Sequence, residues 1–196
     1  MNVTVKTPAP DLPPRRAFDV DDIRRMIEAG VLGEDENIEL VEGEIVVMAP
    51  KSYAHEMIKN ALVEALFKAR PADIAVAVEM TIEFSRDTLF EPDIAAIHKS
   101  KIRRSKANFV SVEQGGCLLL IEVAKTSLRF DKGRKAALYA KLGVSEYWVV
   151  NTNKRVTSIH RGPSESGWAS IVDYGASDRL TTPTLPDFQF KLDDIN

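Results

Sequence analysis

Cys-Leu-Leu-Leu-Ile-Glu-Val-Ala, at residues 117–124, is the stretch of sequence that decides the fold. A continuous apolar run of this kind is typical of a central strand covered on both faces, because each alternate side chain meets a packed layer. Side chains alternate along a strand, so Glu122 shares one face with Leu118 and Leu120. A buried carboxylate needs a partner. That partner is a metal or a lysine or arginine, unless the strand opens to solvent at this point.

Asp93 is a second acid in a comparable position. It follows Glu91 and Pro92 and precedes the apolar run at 94–97, which places it at the entry of a buried strand, where proline is tolerated. Aspartate at a strand entry is also ordinary turn chemistry, so Asp93 alone indicates little. Together with Glu122 on a neighbouring strand, it predicts a hard-oxygen site suited to magnesium, which takes one or two protein carboxylates plus substrate phosphates.

Lys135 is the candidate cation. On a helix predicted from about Phe130 to Leu142, it shares one face with Asp131, Leu138 and Tyr139 at spacings of three and four. Lys135 is therefore expected to point with the core residues. The alternative is an ion pair with Asp131 whose side chain reaches water.

The remaining pattern predicts an α/β fold, with a mixed sheet and helices packed on it. A helix capped by Asp19 runs to about Ala29, and a second helix runs from about Ser52 to Lys68. The predicted strands are 38–41 and 44–48 around Glu42-Gly43, then 74–78, 80–84, 93–97 and 118–124, then 146–150 and 155–160, with short strands near Trp168 and Phe188.

Composition limits the class of protein. The chain has 196 residues with 44% apolar and 28% charged side chains, which suits a single globular domain over 18–196 preceded by a proline-containing flexible arm at 1–17. No apolar run is long enough to span a bilayer. Cys117 is the only cysteine, which excludes an internal disulfide and fits a reducing compartment, so a cytoplasmic location without membrane contact is expected.

With a net charge of −3, the chain lacks the overall positive charge of a nonspecific nucleic-acid binder. Any contact with nucleic acid must therefore come from a local group of basic residues. Two basic runs could provide it, at 99–106 and at 129–135. A solvated surface is the simpler interpretation of the first run.

Three stretches resemble a known family. Glu91-Pro92-Asp93 followed by Glu122-Val123-Ala124 resembles the PD-(D/E)XK nuclease superfamily. The run from Glu122 through Lys135 to Glu146-Tyr147-Trp148, with the hairpin around Glu39 and with His55, resembles the Uma-type family of putative restriction endonucleases. The resemblance spans about residues 18–160.

The resemblance implies a restriction-endonuclease-like fold, magnesium or manganese as cofactor, DNA as the substrate of phosphodiester hydrolysis, and a homodimer. It implies Asp93 and Glu122 as catalytic metal ligands. Ala124 stands where the superfamily's motif has lysine, and members of this family draw the lysine from the helix, which here is Lys135. Lys125 is the second choice, because it faces the opposite side of an unbulged strand.

The resemblance and the local pattern also indicate supporting residues. Glu39 matches a characteristic family acid that holds a water or a second metal, although a surface role in the hairpin is equally compatible with its position. His55 shares a helix face with Ile58 and Leu62, where a satisfied structural histidine is the usual finding. Asp131 and Tyr139 accompany Lys135 on its helix face. The rival interpretations are an inactive DNA-binding or oligomeric module with a nuclease fold, and an enzyme acting on another phosphate ester.

Overall fold

The computed structural model describes residues 5–6, 15–33 and 35–195. The chain divides into two compact units, each assembled from three separate segments. The first unit comprises the chain up to Ala49 with Thr81–Glu91 and Arg104–Ser111, and the second comprises Pro50–Met80, Pro92–Arg103 and the chain from Val112 onward. The arm predicted at 1–17 falls mostly outside the described residues. The prediction of one domain over 18–196 stays a prediction.

The strands and helices are numbered in chain order. The strands are β1 (Val5–Lys6), β2 (Arg15–Arg16), β3 (Ile38–Val41), β4 (Glu44–Val47), β5 (Ile74–Val78), β6 (Ile82–Ser85), β7 (Thr88–Phe90), β8 (Ile94–His98), β9 (Ile102–Arg104), β10 (Val110–Val112), β11 (Cys117–Ala124), β12 (Glu146–Asn151), β13 (Val156–Ser164), β14 (Gly167–Tyr174), β15 (Leu180–Thr182) and β16 (Leu185–Phe190). The α-helices are α1 (Val20–Glu28), α2 (Tyr53–Ala69), α3 (Leu128–Phe130) and α4 (Ala136–Lys141), and a π-helical turn (Asp131–Lys135) joins α3 to α4.

In the first unit, α1 packs on a sheet in which the strands run β4-β3-β7-β6-β10. Asp19 caps α1 as predicted: its side chain accepts a hydrogen bond from the Asp22 N–H at 2.8 Å, and the Asp22 side chain accepts one from the Asp19 N–H at 3.1 Å. The β3–β4 turn is also confirmed, with Glu42 at φ +48° and Gly43 at φ +82°. A Cβ at position 43 would lie 2.8 Å from the Ala17 Cβ. Both the positive φ and this close approach therefore require glycine at position 43.

The second unit is built on a mixed sheet in the order β14-β13-β12-β11-β8-β5. The predicted central strand is confirmed, because β11 pairs in parallel with β12 and antiparallel with β8. On one face of β11, Leu119, Ile121 and Val123 join a large core with Leu62 of α2 and Trp148 of β12. Glu122 therefore lies on the opposite face.

The helix predicted from Phe130 to Leu142 is present, but its start and its geometry differ from the prediction. The helical segment begins at Leu128 and contains the π-helical turn, in which the Ala136 N–H donates to the Asp131 carbonyl oxygen five residues earlier. Such a turn accommodates one extra residue compared with an α-helix and is frequent at functional sites. The spacing of apolar residues in the sequence does not reveal this turn, in which Asp131 and Lys135 are both buried.

The other differences concern short strands. The sequence does not predict β7, β9, β10 and β15, since three residues are too few to show an alternating pattern. The strand expected from Met80 begins at Ile82, and the one expected near Trp168 extends over eight residues.

None of the helices among residues 15–33 and 35–195 is long and apolar enough to cross a membrane.

Candidate active site

Asp93 and Glu122 are brought together by the pairing of β8 with β11. Ile121 lies opposite Ile94 in this antiparallel pair, so continuing the register sets Glu122 opposite Asp93. The Val123 N–H donates to Asp93 Oδ2 at 2.8 Å, which fixes the Asp93 carboxylate beside the backbone of Glu122. Asp93 is 4% exposed and Glu122 is 6% exposed. Two nearly buried carboxylates on adjacent strands are costly unless cations offset their charge.

Lys135 provides one such cation. Its Nζ lies 2.8 Å from Glu122 Oε1, and the Tyr139 hydroxyl donates to the same oxygen at 3.3 Å. Lys135 is 1% exposed and Tyr139 is fully buried, so the alternative in which Lys135 reaches water is wrong. The Lys135 ammonium also lies 6.0 Å from the centre of the Tyr139 ring. Lys135 and Tyr139 therefore hold the Glu122 carboxylate from the helix that follows β11.

Asp93 is held from the opposite side by α2. His55 Nε2 lies 2.9 Å from Asp93 Oδ2, and His55 Nδ1 lies 3.2 Å from Glu56 Oε1. His55 therefore has a partner on each ring nitrogen, as expected of a structural histidine, and one partner is the candidate metal ligand. On the other carboxylate oxygen, Lys51 Nζ lies 3.6 Å from Asp93 Oδ1.

A network of charged side chains connects these two contacts. Lys51 also binds Glu79 at 2.5 Å, and Lys59 binds both Glu79 and Glu56. Because Glu56 contacts His55, these ion pairs and hydrogen bonds form a closed ring that begins and ends at Asp93. In chain order its members are Lys51, His55, Glu56, Lys59, Glu79 and Asp93. All of them belong to the second unit.

The ring carries both signs of charge. Burial lowers the pKa of Lys59, but hydrogen bonds to Glu56 and Glu79 outweigh it and raise that pKa overall. Burial likewise raises the pKa of Glu79, but bonds from Lys51 and Lys59 bring it below its usual value. The hydrogen bond from Lys59 lowers the pKa of Glu56 as well. Lys59 and both glutamates are therefore charged at neutral pH.

Sequence analysis missed Lys51, Glu56, Lys59 and Glu79. Lys59 carried a usable signal in the sequence, because it lies four residues after His55 on the apolar stripe of α2. In the structure the residue is 4% exposed. A lysine on such a stripe needs a carboxylate partner for the same reason that Glu122 needs a cation. Glu79 gave no comparable signal, since it lies after β5 at φ +50° and its partners are distant in sequence.

The remaining supporting residues differ in their exposure. Asp131 is 2% exposed in the π-helical turn, where its carbonyl accepts a hydrogen bond from the Tyr147 hydroxyl at 3.2 Å. Lys125 is exposed just after β11. Glu39 belongs to the first unit, is 2% exposed and accepts a hydrogen bond from the Glu91 N–H at 3.1 Å, so the surface role in the hairpin is wrong.

Asp93 and Glu122 are also the residues that could hold a metal. Within the described residues, no group of three or more histidine, cysteine, aspartate or glutamate side chains is arranged to bind one. A structural zinc site would need four such ligands, whereas magnesium keeps several waters and needs one or two carboxylates. The donor set therefore fits magnesium or manganese.

Comparison with known protein families identifies one family whose model matches most of the chain. A model described as Uma2, putative restriction endonuclease, matches residues 20–193. The chain belongs to the Uma2 family. The family resemblance seen in the sequence is therefore confirmed.

A solved structure supports the fold of this Uma2 protein. The crystal structure of a putative nuclease belonging to DUF820 from Anabaena variabilis is similar, with a TM-score of 0.71 and 17% sequence identity. The similarity covers 91% of this chain and 97% of the other. At that identity the likeness shows the fold, and it confirms the mixed α/β, nuclease-like architecture. No curated protein matches the chain.

Proposed function

We propose that this Uma2 protein is an endonuclease that hydrolyses phosphodiester bonds in DNA and depends on magnesium, with manganese able to replace it. The observation that carries the proposal is the pair of nearly buried carboxylates, Asp93 and Glu122, on neighbouring strands with Lys135 at 2.8 Å from Glu122. Family membership supports nuclease activity, and the donor set supports the metal.

Asp93 and Glu122 would hold the metal, which when bound neutralises the scissile phosphate and acidifies a water molecule. Lys135 orients Glu122 through its 2.8 Å contact, and its charge offsets the charge that develops as the phosphate is attacked. His55 and the Val123 N–H fix Asp93 Oδ2, which leaves Oδ1 as the oxygen that faces a ligand. Preorganised groups of this kind lower the barrier because they need no rearrangement during the reaction.

Local basic side chains support DNA as the substrate. Lys125 and Arg129 are exposed on the segment that leads from β11 into the helix carrying Lys135, and Lys132, which is also exposed, pairs with Asp173 at 3.5 Å. In the other basic run, by contrast, Arg103 and Lys101 pair with Glu113 at 2.9 and 3.6 Å. The surface after β11 is therefore the better candidate for phosphate contacts in a chain of net negative charge.

A cleavage assay tests the proposal. The purified protein is incubated with single-stranded, duplex and branched DNA in magnesium or manganese, beside Asp93→Asn, Glu122→Gln and Lys135→Met. We expect cleavage that requires the metal and is lost in all three variants. Lys125→Met tests the second-choice lysine and should weaken DNA binding without abolishing cleavage. Lys68→Met, at an exposed lysine on α2, is the matched control and should keep cleavage. Full cleavage by Lys135→Met together with loss in Lys125→Met would reverse the assignment of the lysine.

The alternative is a nuclease fold that binds DNA or forms oligomers without turnover, and the net charge of −3 favours it. Titration calorimetry with manganese distinguishes the two, because a site that has lost activity should show no binding that depends on Asp93 and Glu122. Ultracentrifugation would test the predicted homodimer.

A further inference from the structure

Lys51 has a position that the proposed roles of Asp93, Glu122 and Lys135 do not use. Its ammonium bridges two carboxylates, with 2.5 Å to Glu79 Oε1 and 3.6 Å to Asp93 Oδ1. Oδ1 is the Asp93 oxygen that His55 and the Val123 N–H do not engage. Lys51 therefore neutralises the same oxygen that a metal would take.

The side chain of Lys51 differs from the other lysines near the site in its exposure. It is 26% exposed, whereas Lys59 is 5% and Lys135 is 1% exposed. Lys59 and Lys135 are enclosed by the carboxylates that they neutralise. Lys51 thus combines contact with Asp93 and access to a ligand arriving from solvent.

A divalent cation on Asp93 Oδ1 would repel an ammonium only a few ångströms away. The bond to Glu79 gives Lys51 a second anchor, because Glu79 is ionised and is held in turn by Lys59. Lys51 can therefore leave Asp93 without leaving the site, and its charge then faces solvent beside the metal ligands, where a phosphate of the substrate is the anion expected.

We propose that Lys51, which contacts Asp93 and Glu79 in this structure, is a phosphate-binding lysine of this site and would contact a backbone phosphate of the nucleic acid when a divalent cation is bound at Asp93. This inference rests on the proposed function. It adds a residue that the family resemblance did not indicate, and it gives Glu79 and Lys59 the role of holding that residue in place.

Two measurements on the full chain test the proposal. The first is calorimetric titration with Mn²⁺ of the wild type and of Lys51→Met, Lys51→Arg and Lys68→Met. Lys68 is the matched control, because it lies on α2 and pairs with Glu64 at a surface where both side chains are exposed. We expect Lys51→Met to bind Mn²⁺ about tenfold more tightly, since a competing positive charge is removed. Lys51→Arg and Lys68→Met should match the wild type.

The second measurement is binding of a fluorescent duplex in Ca²⁺ at several salt concentrations, with gels to verify that the DNA stays intact. We expect Lys51→Met to bind about three- to tenfold more weakly and to reduce the slope of log affinity against log salt by about 0.9, which corresponds to one phosphate contact. Lys51→Arg should restore the slope. A purely structural salt bridge would change stability and leave this slope unchanged.

The outcomes separate the two proposals. If the wild type binds Mn²⁺ through Asp93 and Glu122 but Lys51→Met has an unchanged salt slope or unchanged or weaker Mn²⁺ affinity, the role of Lys51 is wrong and the nuclease proposal stands. If the wild type shows no Mn²⁺ binding that depends on these carboxylates, both are wrong.

Discussion

Two neighbouring strands of the second unit each bury one glutamate, and the two residues have different surroundings. Glu146 begins β12 at 3% exposure, and Glu122 lies within β11 at 6% exposure. Glu146 Oε1 accepts hydrogen bonds from Trp148 Nε1 at 2.7 Å and Arg161 Nη2 at 2.8 Å, and Oε2 accepts one from the Thr182 hydroxyl at 2.8 Å. Glu146 therefore connects three strands, β12, β13 and β15.

Glu122 instead faces a lysine from a π-helical turn and has a second carboxylate on the adjacent strand. The comparison teaches that burial of a carboxylate does not by itself indicate a functional site. Glu146 is surrounded by neutral and cationic donors, which is the arrangement that stabilises a fold. A second acid beside the first, as at Asp93 and Glu122, opposes folding and points to a ligand.

The largest expected effect is a difference in cleavage activity between variants of Glu122 and Glu146. Glu122→Gln should reduce metal-dependent cleavage by about a hundredfold or more, because an electrostatic contact with the reacting group is lost. Glu146→Gln should retain cleavage close to that of the wild type. Rates are measured with excess enzyme over a labelled duplex and expressed per folded protein, with the folded fraction taken from circular dichroism. Equal losses in the two variants would remove the distinction.

The next effect concerns stability. Glu146→Gln should lower the free energy of unfolding by about 2 kcal/mol, because the amide cannot accept all the donors of Glu146 and leaves the Arg161 charge without its partner. Urea unfolding followed by tryptophan fluorescence measures this change. Glu64→Gln on α2 is the control, since its pair with Lys68 is exposed and should contribute less than about 0.5 kcal/mol. A stable Glu146→Gln would mean that this cluster is not structural.

A smaller effect should appear at Cys117, where β11 begins. Burial raises the pKa of the Cys117 thiol to about 12, so the thiol stays protonated and unreactive at pH 8. The Ser145 N–H donates to the Cys117 carbonyl next to Glu146, so weakening the Glu146 cluster should open this end of β11. We expect Glu146→Gln to react with a chromogenic disulfide about tenfold faster than the wild type at pH 8. Equal rates would show that Cys117 is protected independently of Glu146.

The smallest effect is the pH dependence of the region around Glu146. Burial lowers the pKa of His160, although hydrogen bonds such as that to the Tyr147 carbonyl oppose this shift. A histidine whose pKa is lower in the folded protein is protonated first in the unfolded chain, so stability is full above pH 6.5 and declines as the pH falls below it. His160→Gln should flatten the dependence of the unfolding free energy on pH between pH 6.5 and 5. A slope unchanged by His160→Gln would contradict this account.

The sequence predicts the features that local periodicity determines. Alternation along 117–124 is enough to identify Glu122 and the central strand, and the cap at Asp19 and the turn at Gly43 follow from residue chemistry. Asp93 becomes a candidate only as the partner of Glu122. Lys135 requires its helix face and the family resemblance together.

Contacts between distant segments could not be predicted in the same way. The ring that joins Lys51, Lys59 and Glu79 to Asp93 depends on how α2, the end of β5 and β8 meet. In the sequence, Lys51 and Glu79 each resemble ordinary surface charge. Glu146 shows the converse, because a family motif contains it and yet its contacts are those of a structural residue. The contacts between distant strands and helices distinguish the ring at Asp93 from the Glu146 cluster. The local pattern of a single sequence does not show these contacts.

Because of the π-helical turn at Asp131–Lys135, the number of residues in this segment matters more to the site than which residues fill it. Each residue removed from an α-helix rotates the remainder of the helix by about 100°. Deleting one residue from 132–134 would let the segment close as a regular helix, and either Lys135 or Tyr139 would then leave Glu122. Insertions and deletions, more than substitutions, are therefore the changes that this part of the protein should resist.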